Sequence, residues 1–356
     1  MIQPQAGDRI SNYLLEELAG SGSFGQVWRA KHHVLDQVVA VKILTDPQYV
    51  RNFRQEGVVV HGIRHPNVVR ALDLDPYADM PYMIMEFVDG PPLRKMIDAH
   101  PQGMPIDVSV RILRGMLAGL QAASDAGLVH RDVKPANILL RMPHGDLAQV
   151  EEGDVKLTDF GLGRATAVTT TSLMQSGSLV TDEGKSIAGT LVYMSPEQRA
   201  GAELDGRSDL YSCAVVLFEM LTGSRPAGSD TPGMVRREVP VYLDDLFRGS
   251  YTRLERRFAS AEAMLAALTQ GEHQACEGSR TTARNVPSGA PAVRILGSTA
   301  TTCPSCRQAV QHDDNFCIHC GHQVAETVPR CTACRAFVNR VDRYCIFCGT
   351  RLQADV

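Results

Sequence analysis

The spacing of hydrophobic positions changes character along the chain. Between residues 10 and about 90 apolar and polar residues alternate with a period of two, most clearly over 37–44 and 82–88, which predicts strands. One helix, over 48–63, is expected among them. From 91 to 270 the pattern becomes mostly helical, with amphipathic segments over 108–126 and 209–221. From 271 to 302 the chain turns to Gly, Ser, Thr, Ala and Pro without any period and reads as a flexible linker. A second Ser/Thr/Gly-rich stretch, 166–186, lies inside the larger domain and reads as a functional loop.

Beyond the linker the sequence repeats itself. Cys303, Cys306, Cys317 and Cys320 recur 28 residues later as Cys331, Cys334, Cys345 and Cys348. Arg307, Val310, Phe316, Ile318 and Gly321 recur with them as Arg335, Val338, Tyr344, Ile346 and Gly349.

Composition narrows this picture. At 356 residues, 44% hydrophobic and 21% charged, the chain has room for about two ordinary globular domains. A net charge of −4 gives no electrostatic reason to expect a nucleic-acid partner. The longest apolar run, residues 213–221, is broken by Glu219 and is too short for a bilayer. The first ten residues lack the basic and apolar regions of a secretory signal, so a cytoplasmic location is expected. In that compartment eight clustered cysteines favour metal over disulfides.

Three motifs carry the chemistry. Gly20-Ser-Gly22-Ser-Phe-Gly25-Gln-Val27 lets backbone N–H groups approach phosphates closely; because strand residues follow Gly25, it is not a dinucleotide-binding fingerprint. Lys42 closes the strand run Val39-Ala40-Val41, where a buried ammonium needs a partner such as Glu56 on the next helix. A surface ion pair is the blander reading of those two residues. The third motif is His130-Arg131-Asp132-Val133-Lys134-Pro135-Ala136-Asn137, followed by Asp159-Phe160-Gly161. Phosphoryl transfer needs a carboxylate facing the attacking hydroxyl, which suits Asp132. It needs hard oxygen ligands for Mg2+ (or Mn2+), which suits Asn137 and Asp159. It also needs cations against the developing charge, which suits Lys42 and Lys134.

In this order, with His65-Pro66-Asn67 and Ser195-Pro196-Glu197 in place, residues 10–270 resemble the eukaryotic-type (Hanks) protein kinases, and especially their bacterial serine/threonine branch. The resemblance implies an α+β, two-lobed fold, with a β-rich N-lobe over 10–88, a helical C-lobe over 89–270 and ATP between them. It implies that Ala19, Gly20, Gly22, Gly25, Val27 and Lys42 surround the nucleotide. Met85 would be the gatekeeper, and Glu86 to Val88 the segment that hydrogen-bonds adenine. Asp132, Lys134, Lys42 and Glu56 would be catalytic, Asp209 would anchor the catalytic loop, and Arg257 would pair with Glu197. Lys134 and Thr190 imply serine or threonine acceptors on protein substrates. Arg131 suggests capture of a phosphate on Thr169, Thr170, Thr171, Ser172, Ser176, Thr181 or Ser186. Departures are Ser195 for the usual alanine, Ala214 for the common glycine, a short stretch between Gly223 and Arg257, and Ala19 where a large aliphatic residue usually roofs the adenine, leaving Leu18 to serve. No catalytic group is missing, which weighs against the alternative of a silent pseudokinase scaffold.

The tail resembles tandem zinc ribbons, over 301–324 and 329–353. Two Cys-x-x-Cys knuckles can enclose one tetrahedral ion. The repeat favours pairing 303/306 with 317/320, and 331/334 with 345/348, for two structural Zn2+ ions. A rubredoxin-like iron site is the competing reading. The ribbons suggest protein docking, with nucleic acid disfavoured because no basic stripe emerges.

Overall fold

In the computed structural model the described residues are 3–22, 25–46, 49–160 and 191–282, without the side chains of 52, 56, 59 and 276–282. The chain divides into two compact units, Met1–Asn285 and Val286–Val356. All eight predicted zinc ligands, Thr190, Gly161 and the candidate phosphate acceptors of 169–186 lie outside the described residues.

The first unit begins with an antiparallel sheet of six strands, in the order β1-β2-β3-β4-β6-β5. These are β1 (Arg9–Ile10), β2 (Tyr13–Gly22), β3 (Gly25–His32), β4 (Val38–Leu44), β5 (Ala71–Asp75) and β6 (Tyr82–Glu86). The predicted helix appears as α1 (Val50–Gly62) between β4 and β5. Register assigns the two faces. Val27 pairs with Lys42, and Lys42 with Met83, while Trp28 pairs with Val41, and Val41 with Ile84. Trp28, Val39, Val41, Ile43 and Ile84 close a small core with Ile10, Leu15 and Ala30. The lysine therefore shares the other face with Val27 and Met83.

Among the described residues, the rest of the unit is mainly helical, with one hairpin, β7 (Ile138–Leu140) with β8 (Val155–Leu157). Its helices are α2 (Leu93–Ala99), α3 (Ile106–Asp125), α4 (Pro196–Arg199), α5 (Gly206–Thr222), α6 (Pro232–Val235), α7 (Val241–Ser250) and α8 (Ala261–Thr282). Two glycines let α3 approach the hairpin. A Cβ at Gly115 would lie 2.5 Å from the Glu152 carbonyl oxygen, and one at Gly119 2.8 Å from that of Asn67.

Two expectations are corrected. The stretch read as amphipathic, 209–221, belongs to α5, where every residue from Ser208 to Thr222 is buried. Its polar residues are not a solvent face but buried attachment points. The expected linker also starts too early, because α8 continues past Gly271 to Thr282. A Cβ at Gly271 would meet the Tyr242 side chain at 2.6 Å, so packing against α7 favours a glycine inside this helix.

Ser195, the departure from alanine, acts as the N-cap of α4, accepting the Gln198 N–H at 3.3 Å. The expected pair of Glu197 and Arg257 is present and two-pronged, at 2.6 and 2.9 Å, with Ser208 Oγ donating a third bond at 2.7 Å. The guanidinium also lies 4.9 Å from the centre of the Tyr211 ring. Burial acts to raise the Glu197 pKa, but the bonds from Arg257, Ser195 and Ser208 outweigh it and bring it from 4.5 down to about 2.

Arg257→Met should cost up to about 3 kcal/mol by stranding a carboxylate that is only 11% exposed, read by denaturant unfolding. Because the folded pKa of Glu197 is depressed, its contribution is fully present above about pH 4.5 and is lost as the pH falls towards about 2. The Arg257 variant should show a smaller acid-induced loss over that window. An identical acid profile would contradict this assignment.

Candidate active site

The glycine hairpin is the turn between β2 and β3, whose tip, 23–24, lies outside the described residues. Gly20 pairs with Val27 and Gly22 with Gly25. A Cβ at Gly20 or Gly22 would meet nothing within 4 Å, so these two leave backbone open to a ligand. At Gly25 sheet packing itself demands glycine, since a Cβ there would stand 2.1 Å from the Ile43 carbonyl oxygen. The register slips between Leu18 and Gly20, leaving Ala19 as the extra residue. Leu18 pairs with Trp28, on the sheet face away from Lys42, and is 45% exposed. It does not take over the roofing place, and Val27 is the apolar residue on the lysine side.

Lys42 is buried on β4 and donates from Nζ to Asp159 Oδ1 at 2.7 Å. Glu56 lies on α1, with its side chain outside the description. Asp159 lies two residues beyond the end of β8 and adopts φ 63°, while Arg131 adopts φ 68°. Such values are strained for residues with a Cβ, and both occur beside the predicted chemistry.

The catalytic loop is hung from α5. Asp209 uses one carboxylate oxygen to accept the His130 N–H and the other to accept the Arg131 N–H, each at 2.8 Å. From α4, Gln198 Nε2 donates to the Arg131 carbonyl at 2.6 Å. The His130 ring packs 4.3 Å from that of Phe160, and burial lowers its pKa, favouring the neutral form. Past the loop, Pro135–Asn137 forms a single 3-10 turn leading into β7. Asn137 O then accepts Thr158 N–H at 3.0 Å, tying this turn to the residue before Asp159.

Five of the predicted catalytic and metal-binding side chains are joined by hydrogen bonds, as one trio and one pair. Asp132 Oδ2 receives Lys134 Nζ at 2.8 Å and Asn137 Nδ2 at 3.0 Å, and Asp159 receives Lys42. Burial raises the Asp132 pKa against the opposing pull of Lys134 and Asn137. Asp159 goes the other way: burial acts upward, but Lys42, helped by Lys134, holds its carboxyl below the ordinary range. With the Asn137 nitrogen committed to Asp132, its amide oxygen is the hard donor left on this side chain, and the Asp159 carboxylate is the second in the predicted set. Two hard oxygen donors suit Mg2+.

The Glu86 carboxylate accepts Lys156 Nζ at 2.7 Å and the Arg70 N–H at 2.9 Å, and the Glu86 N–H donates to the Arg70 carbonyl at 2.9 Å. Lys156 was not singled out in the sequence. The available signal is a lysine flanked by Val155 and Leu157 in a three-residue strand buried throughout.

Residues 13–286 match the family described as Protein kinase domain, and 303–349 match Double zinc ribbon. The chain belongs to the protein kinase family. PknL of Mycobacterium tuberculosis, named a serine/threonine-protein kinase, is 38% identical over 62% of this chain and 52% of its own length. PrkC of Bacillus subtilis, with the same description, is 34% identical over 62% of this chain and 32% of its own. A probable serine/threonine-protein kinase of Clostridium perfringens is 36% identical over 65% and 31%. The chain thus spans about a third to a half of these relatives. The crystal structure of the M. tuberculosis PknI kinase domain superposes with a TM-score of 0.58 at 22% identity, covering 76% of this chain and all of that one, which supports the kinase fold. Among the described residues no helix is long and apolar enough to cross a membrane.

Replacing Asp209 with Asn puts an amide donor where two backbone N–H groups need acceptors. We expect a loss of about 1–3 kcal/mol in stability and faster hydrogen exchange at the His130 and Arg131 amides. Unchanged exchange at both amides would rule out the anchoring role.

Proposed function

We propose that this chain is an active ATP-dependent protein serine/threonine kinase, able to phosphorylate itself, rather than a silent scaffold. The observation that carries the reading is the Asp132 carboxylate, held by Lys134 and Asn137, in a loop whose turn is bonded to the segment that delivers Asp159 to Lys42. Every group that phosphoryl transfer requires at these positions is present.

Asn137 and Asp159 would hold Mg2+, which supplies charge neutralisation on the phosphates when bound. Lys42 on the sheet and Lys134 on the loop offer positive charge from opposite sides of the site. Asp132 orients the incoming alcohol and accepts its proton. Its burial, outweighing the opposing pull of Lys134 and Asn137, gives a carboxylate more basic than a free one and therefore better matched to that task. Ala19, Gly20, Gly22, Gly25, Val27 and the backbone of Glu86 and Val88 are assigned to the nucleotide, Glu56 to Lys42, and Thr190 and Glu197 to the activation segment. The acceptor's identity as serine or threonine rests on Lys134 and on the names of the relatives.

For the tail we propose two ribbons, 301–324 and 329–353, each enclosing one Zn2+ with four thiolates and offering a docking surface for protein substrates or for the kinase itself. The match to a double zinc ribbon and the duplicated cysteines support this. We place the protein in the cytoplasm.

Incubation with labelled ATP and Mg2+ should label the wild type. Asp132→Asn should reduce labelling by about 10²- to 10⁴-fold while the protein stays folded. Equal labelling of the two would overturn the role of Asp132. Metal analysis after purification without chelators should return about two zinc ions per chain. Iron in their place, or no metal, would refute the zinc assignment.

A further inference from the structure

One oxygen of Glu86 joins three segments of the fold. Oε1 accepts Lys156 Nζ from β8 at 2.7 Å and the Arg70 N–H at 2.9 Å, while the Glu86 N–H donates to the Arg70 carbonyl at 2.9 Å. Arg70 directly follows the stretch that borders β8 on its free edge. There Leu157 N–H donates to Asn67 O at 2.8 Å, and Val69 N–H to Leu157 O at 2.9 Å. The Asn67 amide adds bonds to the carbonyls of Glu152, at 2.5 Å, and Val155, at 2.8 Å. Strand β8 is thereby fixed on both edges, by β7 and by 67–69, and Lys156 extends from it to the end of β6.

The positions of these residues in the chain give the contact its meaning. Asp159 lies three residues after Lys156, and Val88 two residues after Glu86. The ion pair connects the strand that delivers a metal ligand to the segment whose backbone is assigned to adenine. Lys156 is 8% exposed, and a buried lysine is a poor source of stability, since an apolar residue of similar length commonly serves as well or better. Glu86 retains 32% side-chain exposure and can be rehydrated if the lysine is lost. His65 also senses the Lys156 charge: burial first, and then that charge, lower its pKa and favour the neutral ring, so it adds no second cation beside the pair.

We propose that Lys156 is a positioning residue for the nucleotide: through Glu86 it sets the spacing between the 86–88 backbone and the Asp159 carboxylate. The proposal rests on the kinase reading above. Lys156 touches neither reactant, so its loss should appear in nucleotide affinity rather than in the chemical step. Lys156→Met should raise both the Kd and the KM for ATP about fivefold with kcat within about twofold of wild type. Its melting temperature should be unchanged or higher. Lys156→Arg, which keeps a cation within reach of Glu86, should recover most of the affinity. Combining Lys156→Met with Glu86→Gln should add little to either single change. Calorimetric titration of the full chain with ATP, beside steady-state phosphorylation, gives these values. Wild-type-like affinity in Lys156→Met, in a protein that phosphorylates normally, would overturn the positioning role and leave the kinase reading intact. So would parallel losses of affinity and melting temperature that arginine does not repair. If the wild type neither bound ATP nor phosphorylated, the kinase reading itself would fall.

Discussion

A carboxylate out of reach of water organises the catalytic half of this protein. Asp209 sits in a helix buried along nearly its whole length, where desolvation raises its pKa and leaves it dependent on the donors around it. Those donors are two consecutive backbone N–H groups of the loop that carries Asp132. Holding a loop by its main chain rather than by side chains leaves His130, Arg131 and Asp132 free to differ in role. The rest of α5 works in the same way. Ser208 reaches Glu197, Ser212 Oγ donates to the Tyr193 carbonyl at 2.8 Å, and Glu219 accepts Tyr193 Oη at 2.6 Å together with Arg94 and Arg225. One apolar post with a few polar pegs thus fixes the loop, α4 and the residues just before it.

The strain at the site follows from this anchoring. Arg131 and Asp159 occupy the left-handed region, which an L-residue enters only when its surroundings overdetermine it. Arg131 is held on both faces of its peptide units, by Asp209 at its N–H and Gln198 at its carbonyl. Asp159 is constrained by the bond of Thr158 to Asn137 behind it and by the ammonium of Lys42 in front. The two tight backbone positions therefore belong to a single bonded assembly rather than to two independent turns.

Much of this was legible in the sequence, because the chemistry depends on residue types at fixed short spacings. The glycine hairpin, Lys42, the 130–137 loop and Asp159 could be named before any fold was known, and the period-two and helical stretches placed the strands and helices near their observed positions. What escaped was long-range. A run such as Ser208 to Thr222 reads as one-sided when its polar residues are assumed to face water, whereas here they face other protein segments. Lys156 carries no motif of its own, and its partner is 70 residues away in sequence. The unsuitability of Leu18 depends on a register slip in a hairpin, which residue identity does not disclose. Likewise, Gly271 resembles a helix end by composition, and the Tyr242 side chain packed beside it shows why a glycine stands inside the helix.

The contact between Lys42 and Asp159 has a consequence for any anion that enters the cleft. The ammonium already has a carboxylate against it, and the carboxylate already has a cation. Arrival of a polyphosphate with its own divalent ion is then a double exchange of partners, in which each fixed charge trades one counter-charge for another. Little bare charge has to be stripped of water along the way. If Asp159 holds the metal as proposed, a phosphate arriving without one would draw the lysine away and leave that carboxylate facing it with only the weaker pull of Lys134, a disadvantage for the metal-free species.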